Sequence, residues 1–200
     1  MRGCHRAAGR LPYLYSTGWE TTLDGTPMMR AMLLEFPEDL TARNLSQQYM
    51  LGGSLLVAPV FDQPRHHIYL PEGSWIDLET GVRITGGKWI TYPKNIEVIP
   101  MFLRENTMIP MLQEAPKHIS DENFENLELI LNIVDQLEQT YYDDGVEVRI
   151  RATLKDGVLD IVLKDIPTEK FRIYAAGEVT AVTVNGEAKS FCKEDAYYLV

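Results

Sequence analysis

The sequence predicts a mainly β chain, entered through one helix and closed by a β-sandwich. Three observations carry that reading. The pairs Asp144-Gly145, Asp156-Gly157 and Asn185-Gly186 punctuate the C-terminal part, and such pairs supply the positive φ angles that tight hairpins need. VEVRIRATLKDGVLDIVLKD alternates apolar and charged residues around its turn, the period-two signature of strands with one buried face. From His66 onward, short β-type runs are bounded by Pro and Gly, as strands joined by turns are. Stacking two sheets is the natural way to bury such faces.

The elements follow in order. Leu11, Leu14, Tyr15, Trp19 and Leu23 recur at spacings of three and four, which predicts a helix with these residues on one apolar face. Pro12 fits its opening turn, where the missing N–H costs nothing, and Gly25-Thr26-Pro27 ends it. MMRAMLLEF reads as a strand closed by Pro37. Asp39 reads as the N-cap of a short helix running through Asn44 to Leu51, with Gly52 just past its end. SLLVAPVF is short and apolar enough for a buried strand. HHIYLPEGSWIDLETG reads as two strands around a Pro-Glu-Gly turn, and RITGGKWITYP and VIPMFLRENTMIPML continue in that manner. Between Gln113 and Asn126 the chain turns polar and loses periodicity, which marks a domain boundary. LELILNIVD then opens the hairpin region.

Composition excludes several functions. The chain has 200 residues, 45% hydrophobic and 24% charged, an ordinary globular balance. Its 19 basic against 29 acidic residues give a net charge of −10. That argues against nucleic-acid or anionic-membrane partners, which need a basic face. Cys4 and Cys192 stand at opposite ends with no CxxC spacing, so reduced, inert thiols are expected. No apolar run approaches the roughly 20 residues of a membrane span. The start, MRGCHRAAGRLPYLYS, lacks the apolar stretch and cleavage pattern of a secretory signal, so a cytoplasmic location is expected.

Chemistry is sparse. His66 and His67 are adjacent, and strand neighbours point to opposite faces, so they do not share a metal; an exposed strand edge is expected. Glu38-Asp39, Asp121-Glu122 and Asp143-Asp144 are carboxylate pairs, but acid–base work needs carboxyl groups facing each other across a substrate. Asp39 reads as a helix cap and Asp144 as a turn residue. Trp75, Trp89 and Tyr92 could form a platform for sugar rings, though core filling is the expected role of such aromatics. Gly52-Gly53 and Gly86-Gly87 lack phosphate-loop spacing, and no GxSxG or HExxH occurs. The residues thus nominate no catalytic, cofactor-binding or metal site.

LPYLYS, GTPMMRAMLLEFPED, QQYMLGGSLLVAPVF, YLPEGSWIDLETG and VIPMFLRENTMIPM occur in this order and at close spacing. Together they resemble the C-terminal region of glycoside hydrolase family 31, the retaining α-glucosidases and α-xylosidases, with TPMMRAM and QYMLG most similar to bacterial α-xylosidases. The resemblance is strong from about residue 10 to about residue 112 and weaker beyond, where YYDDG is similar to the family's distal β-domain. It implies two consecutive β-sandwich domains preceded by a remnant helix of a (β/α)₈ barrel: residues 1–26 the last barrel helix, 27–112 the proximal sandwich and 113–200 the distal one.

The resemblance also implies a double-displacement glycosidase, whose two catalytic carboxyl groups sit about 5 Å apart. In the family both aspartates, and the substrate-binding arginine and histidine, come from barrel strands that would precede residue 1. A whole barrel takes about 250 residues. The expected function is therefore a structural, non-catalytic C-terminal piece of an α-xylosidase-like enzyme, its partner the barrel domain. Arg30 is expected to form a structural salt bridge. The first helix, lacking the barrel, is expected to self-associate or to be poorly ordered. The rival reading is a free-standing carbohydrate-binding or assembly module taking an oligosaccharide, favoured if Trp75, Trp89 and Tyr92 share one exposed face.

Overall fold

The computed structural model describes residues 9–60, 66–93, 98–113, 126–143, 145–164, 168 and 170–200, which fall into two compact, mainly β units. The first is Asp24–Glu105; the second is Asn106–Val200 together with the N-terminal helix. Cys4, Asp144, the Asp121-Glu122 pair and most of the polar stretch between Gln113 and Asn126 lie outside the described residues.

Helix α1 spans Leu11–Asp24. Asp24 Oδ1 accepts the Thr26 N–H at 2.8 Å, and Gly25 has φ 77°, the left-handed conformation that commonly ends a helix. The buried stripe is Pro12, Tyr13, Ser16 and Thr17, which corrects the expected face. Tyr15 is 46% and Leu23 65% exposed. Small hydroxyl residues face the protein because their polar groups are met: Thr17 Oγ1 donates to the Tyr13 carbonyl, and Ser16 Oγ accepts the Tyr142 N–H. Trp19 and Tyr15 reach sideways onto the Tyr142 ring.

The first unit has a six-stranded antiparallel sheet in the order β1-β2-β3-β8-β5-β6. Its strands are β1 Met29–Ala31, β2 Tyr49–Leu51, β3 Leu55–Val57, β5 Ser74–Asp77, β6 Arg83–Thr85 and β8 Met101–Arg104. A separate two-stranded ribbon pairs β4 His66–Leu70 with β7 Lys88–Tyr92. Met32, Met50, Leu56, Ile68, Leu70, Trp75 and Phe102 form the shared core. The two strands of HHIYLPEGSWIDLETG exist but do not pair with each other.

Two expectations fail in this unit. MMRAMLLEF is a strand only to Ala31; Met32–Glu35 form one helical turn, α2. That turn brings Glu35 Oε1 to 2.6 Å from Arg30 Nη1, the salt bridge expected of Arg30. Asp39 does cap, accepting N–H bonds from Thr41 and Ala42, but the turn it caps is a 3₁₀ turn ending at Asn44. Tyr49–Leu51 is strand instead, hydrogen-bonded on both sides by β1 and β3, and tertiary pairing outweighs local propensity there.

The second unit is a sandwich of two five-stranded sheets, β17-β18-β14-β10-β9 and β11-β12-β13-β15-β16. In order they are β9 Thr107–Leu112, β10 Leu127–Ile133, β11 Gln136–Asp143, β12 Val146–Lys155, β13 Val158–Leu163, β14 Phe171–Ala175, β15 Ala181–Val184, β16 Glu187–Lys189, β17 Cys192–Lys193 and β18 Tyr198–Leu199. Alternation works as expected in β12 and β13: Val148, Ile150 and Ala152, and Leu159, Ile161 and Leu163, point inward. Asp156-Gly157 and Asn185-Gly186 turn with both φ angles positive, as does Gly145. By contact the units part between Glu105 and Asn106, because β9 pairs along its whole length with β10.

Candidate functional site

The residues singled out in the sequence are mostly spent on structure. His66 is buried, with Nε2 3.1 Å from the Ala58 carbonyl, whereas His67 is exposed. The expected split between faces holds; the expected exposure of both does not, because the even-numbered face of β4 lies on the core. Asp39 Oδ2 also accepts the Tyr69 hydroxyl at 2.8 Å. Burial, and next that carboxylate, raise the Tyr69 pKa. Asp143 is buried at the end of β11. Cys192 is free and exposed.

The three aromatics separate. Trp75 is 1% exposed, and its Nε1–H donates to the Pro71 carbonyl at 2.8 Å. Gly86 passes so close that a Cβ there would lie 1.8 Å from that same carbonyl oxygen. Tyr92 packs against the core, its hydroxyl donating to the buried Asp77 carboxylate. Burial, and then the Asp77 charge, push the Tyr92 pKa well above the usual phenol range. Trp89 alone is exposed, at 52%. The rings do not share one open face.

One concave feature of the first unit gathers polar side chains. It is a cleft of about 220 Å³ whose walls include Ser46, Gln47, Gln48, His66, His67 and Trp89. Its geometry starts from β4. Gln48 Nε2 donates to the Tyr69 carbonyl at 2.7 Å, and Gln48 Oε1 accepts the Tyr69 N–H at 3.0 Å. That amide completes the hydrogen bonding of a buried strand residue and fixes the polar loop 44–48 beside it, as buried backbone groups require. Across the ribbon Tyr69 is the register partner of Trp89, with ring centroids 5.4 Å apart. Gln47 and Gln48 carried no signal in the sequence beyond lying in a polar run, since only tertiary pairing separates a docking amide from a solvated one. Among the described residues, no group of three His, Cys, Asp or Glu side chains could hold a metal ion.

Residues 25–109 match the model of the glycosyl hydrolase family 31 C-terminal domain. Residues 25–109 are a C-terminal domain of glycoside hydrolase family 31. The chain is 46% identical over 103 residues to an isomaltosyltransferase of Sporosarcina globispora, covering 50% of this chain and 9% of that protein. It is 35% identical over 142 residues to an α-xylosidase of Emericella nidulans, covering 66% of this chain and 18% of that one. Among solved structures, the cycloalternan-forming enzyme from Listeria monocytogenes, in complex with its pentasaccharide substrate, superposes with a TM-score of 0.83 at 26% identity, over 96% of this chain and 21% of that one. The chain thus spans about a fifth or less of the length of these relatives.

Proposed function

We propose that this chain is the supporting C-terminal part of a family 31 enzyme acting on terminal α-glycosidic bonds, α-xylosidase-like in its substrate, and that it performs no chemistry itself. One observation carries the reading. The chain matches these relatives over 50–96% of its own length while covering only 9–21% of theirs, so most of each relative is sequence without a counterpart here. A retaining glycosidase needs two carboxyl groups about 5 Å apart on either side of the scissile bond. Three of this chain's acids instead hold the fold: Glu35 bonds Arg30, Asp39 a turn and Tyr69, and Asp77 Glu79, Thr80 and Tyr92.

A brace of this kind acts by being stiff. Its contribution is to hold a catalytic domain's walls in place, so that reacting groups keep their geometry. Support for a xyloside substrate comes from the α-xylosidase relative, and the isomaltosyltransferase relative keeps glucosides in view. A polypeptide joining this chain to its barrel should release the phenol from an aryl α-xyloside faster than from the matching α-glucoside. The reverse order would overturn the α-xylosidase-like substrate and leave the bracing role standing.

A further inference from the structure

The cleft between loop 44–48 and the β4–β7 ribbon has features that bracing alone does not require. Among the described residues its lining holds no Asp, Glu, Lys or Arg. It does offer one half-exposed aromatic face and several neutral hydrogen-bonding groups. The Trp89 ring stands against Tyr69. Tyr69 is itself held at three points, through its hydroxyl to Asp39 and through its backbone N–H and carbonyl to Gln48. The indole is therefore backed by a fixed, buried ring and is pre-oriented. Preorganisation of this sort lowers the entropy cost of binding.

The polar groups that share the cleft with it divide in two. Gln48 and His66 are committed to backbone partners. Ser46 and Gln47 are exposed, and their side chains make no hydrogen bond among the described residues. His67 meets only Thr91, with 3.4 Å between Nδ1 and Oγ1. A neutral ligand with an apolar face and a rim of hydroxyls suits a cleft that combines an aromatic wall with an amide, a hydroxyl and an imidazole. The cleft, about 220 Å³, is smaller than a drug-sized pocket, which fits one sugar ring and not a chain of them.

We propose that this cleft is a non-catalytic subsite for a single neutral pyranose of an α-linked oligosaccharide. Trp89 packs on the C–H face of the ring, and Gln47, Ser46 and His67 hydrogen-bond its hydroxyls. The choice of sugar rests on the family 31 reading above; the site does not, since it stands on the cleft's own geometry. A single ring held by one aromatic and a few polar groups binds in the millimolar range.

The test is ligand-observed saturation-transfer NMR on the intact chain with isomaltose, maltose and methyl α-xyloside, and glucose 6-phosphate as a charged comparison. Wild-type chain should give saturable transfer with at least one neutral sugar, strongest at the ring C–H protons. Trp89→Phe should retain the signal more weakly, Trp89→Ala should lose at least tenfold in affinity, and Gln47→Ala should lose several-fold. Trp89 is exposed, so circular dichroism should show each variant folded. Absence of saturable transfer with every sugar would overturn the proposal, and so would equal affinity in the Trp89→Ala variant. Equal binding of glucose 6-phosphate would overturn the neutral-ligand argument. Turnover by the chain would instead remove the bracing role and leave the subsite in place, so the two failures are distinguishable.

Discussion

The side chain of Gln48 serves Tyr69 as a neighbouring strand would: the amide donates to the carbonyl at 2.7 Å and accepts from the N–H at 3.0 Å, both buried. The second unit repeats the device, with Gln139 exchanging two bonds with the backbone of Met108. In each case an amide closes a strand position that no strand reaches.

Replacing Gln48 by Leu keeps the volume and leaves two buried backbone groups unmet. At about 1–3 kcal/mol for an unsatisfied buried group, Gln48→Leu should lower stability by about 2–4 kcal/mol in urea unfolding. It should also free loop 44–48 and raise hydrogen exchange at Tyr69. An unchanged midpoint would show that the amide pair contributes nothing.

Gly86→Ala should be among the most damaging single changes. The new Cβ would meet the Pro71 carbonyl oxygen at 1.8 Å and Trp75 Nε1 at 2.9 Å, and neither can move without breaking the Trp75–Pro71 hydrogen bond. Overpacking against backbone costs about 3 kcal/mol or more in such a case. Gly177→Ala, with nothing within 4 Å of its added Cβ, should change stability by less than about 0.5 kcal/mol. Chemical unfolding followed by tryptophan emission compares the two directly.

The helix is fastened by rings. Trp19 lies flat on Tyr142, with centroids 4.3 Å apart and planes 4° from parallel. A double-mutant cycle of Trp19→Ala and Tyr142→Ala should give a coupling of about 0.5–1.5 kcal/mol, the range for aromatic pairs. Strict additivity would mean that the stack is incidental. The exposed Tyr15 and Leu23 on the same helix leave self-association as an expectation, to be read from sedimentation over a range of concentrations.

What the sequence reveals, and what it hides, follows from the range of the forces involved. Hairpins at Asp156-Gly157 and Asn185-Gly186 are legible because φ > 0 is a local demand. The buried strand Leu55–Val57 is legible from composition. The parallel pairs β10–β14 and β13–β15 are not, since each joins strands distant in sequence. Apolar spacing points to the wrong helix face because it counts Leu and Trp but not the small Ser16 and Thr17 that permit close approach. The cleft was illegible for a related reason: Gln47 and Gln48 look alike until one of them finds Tyr69.

Alkali should unfold this protein before its buried phenols ionise. Burial raises the pKa values of Tyr49, Tyr69, Tyr92, Tyr141 and Tyr174 in the folded state. In the unfolded chain a phenol titrates near 10. A raised folded value contributes stability that is whole below about pH 10 and is lost as pH climbs above it. The thermal midpoint should be flat from neutrality to about pH 9 and fall beyond. Tyr92→Phe should lower stability by about 1 kcal/mol at neutrality, through the lost hydrogen bonding to Asp77, and make the alkaline decline of the midpoint shallower. Parallel profiles for the two proteins would contradict this assignment.

Turnover of aryl α-glycosides by the purified chain decides between a brace and a catalyst. Incubated with 4-nitrophenyl α-xyloside and α-glucoside, the chain should release nitrophenol no faster than buffer across the pH range in which it stays folded. Saturable release, abolished by substitution of an acid within these residues, would contradict the bracing role.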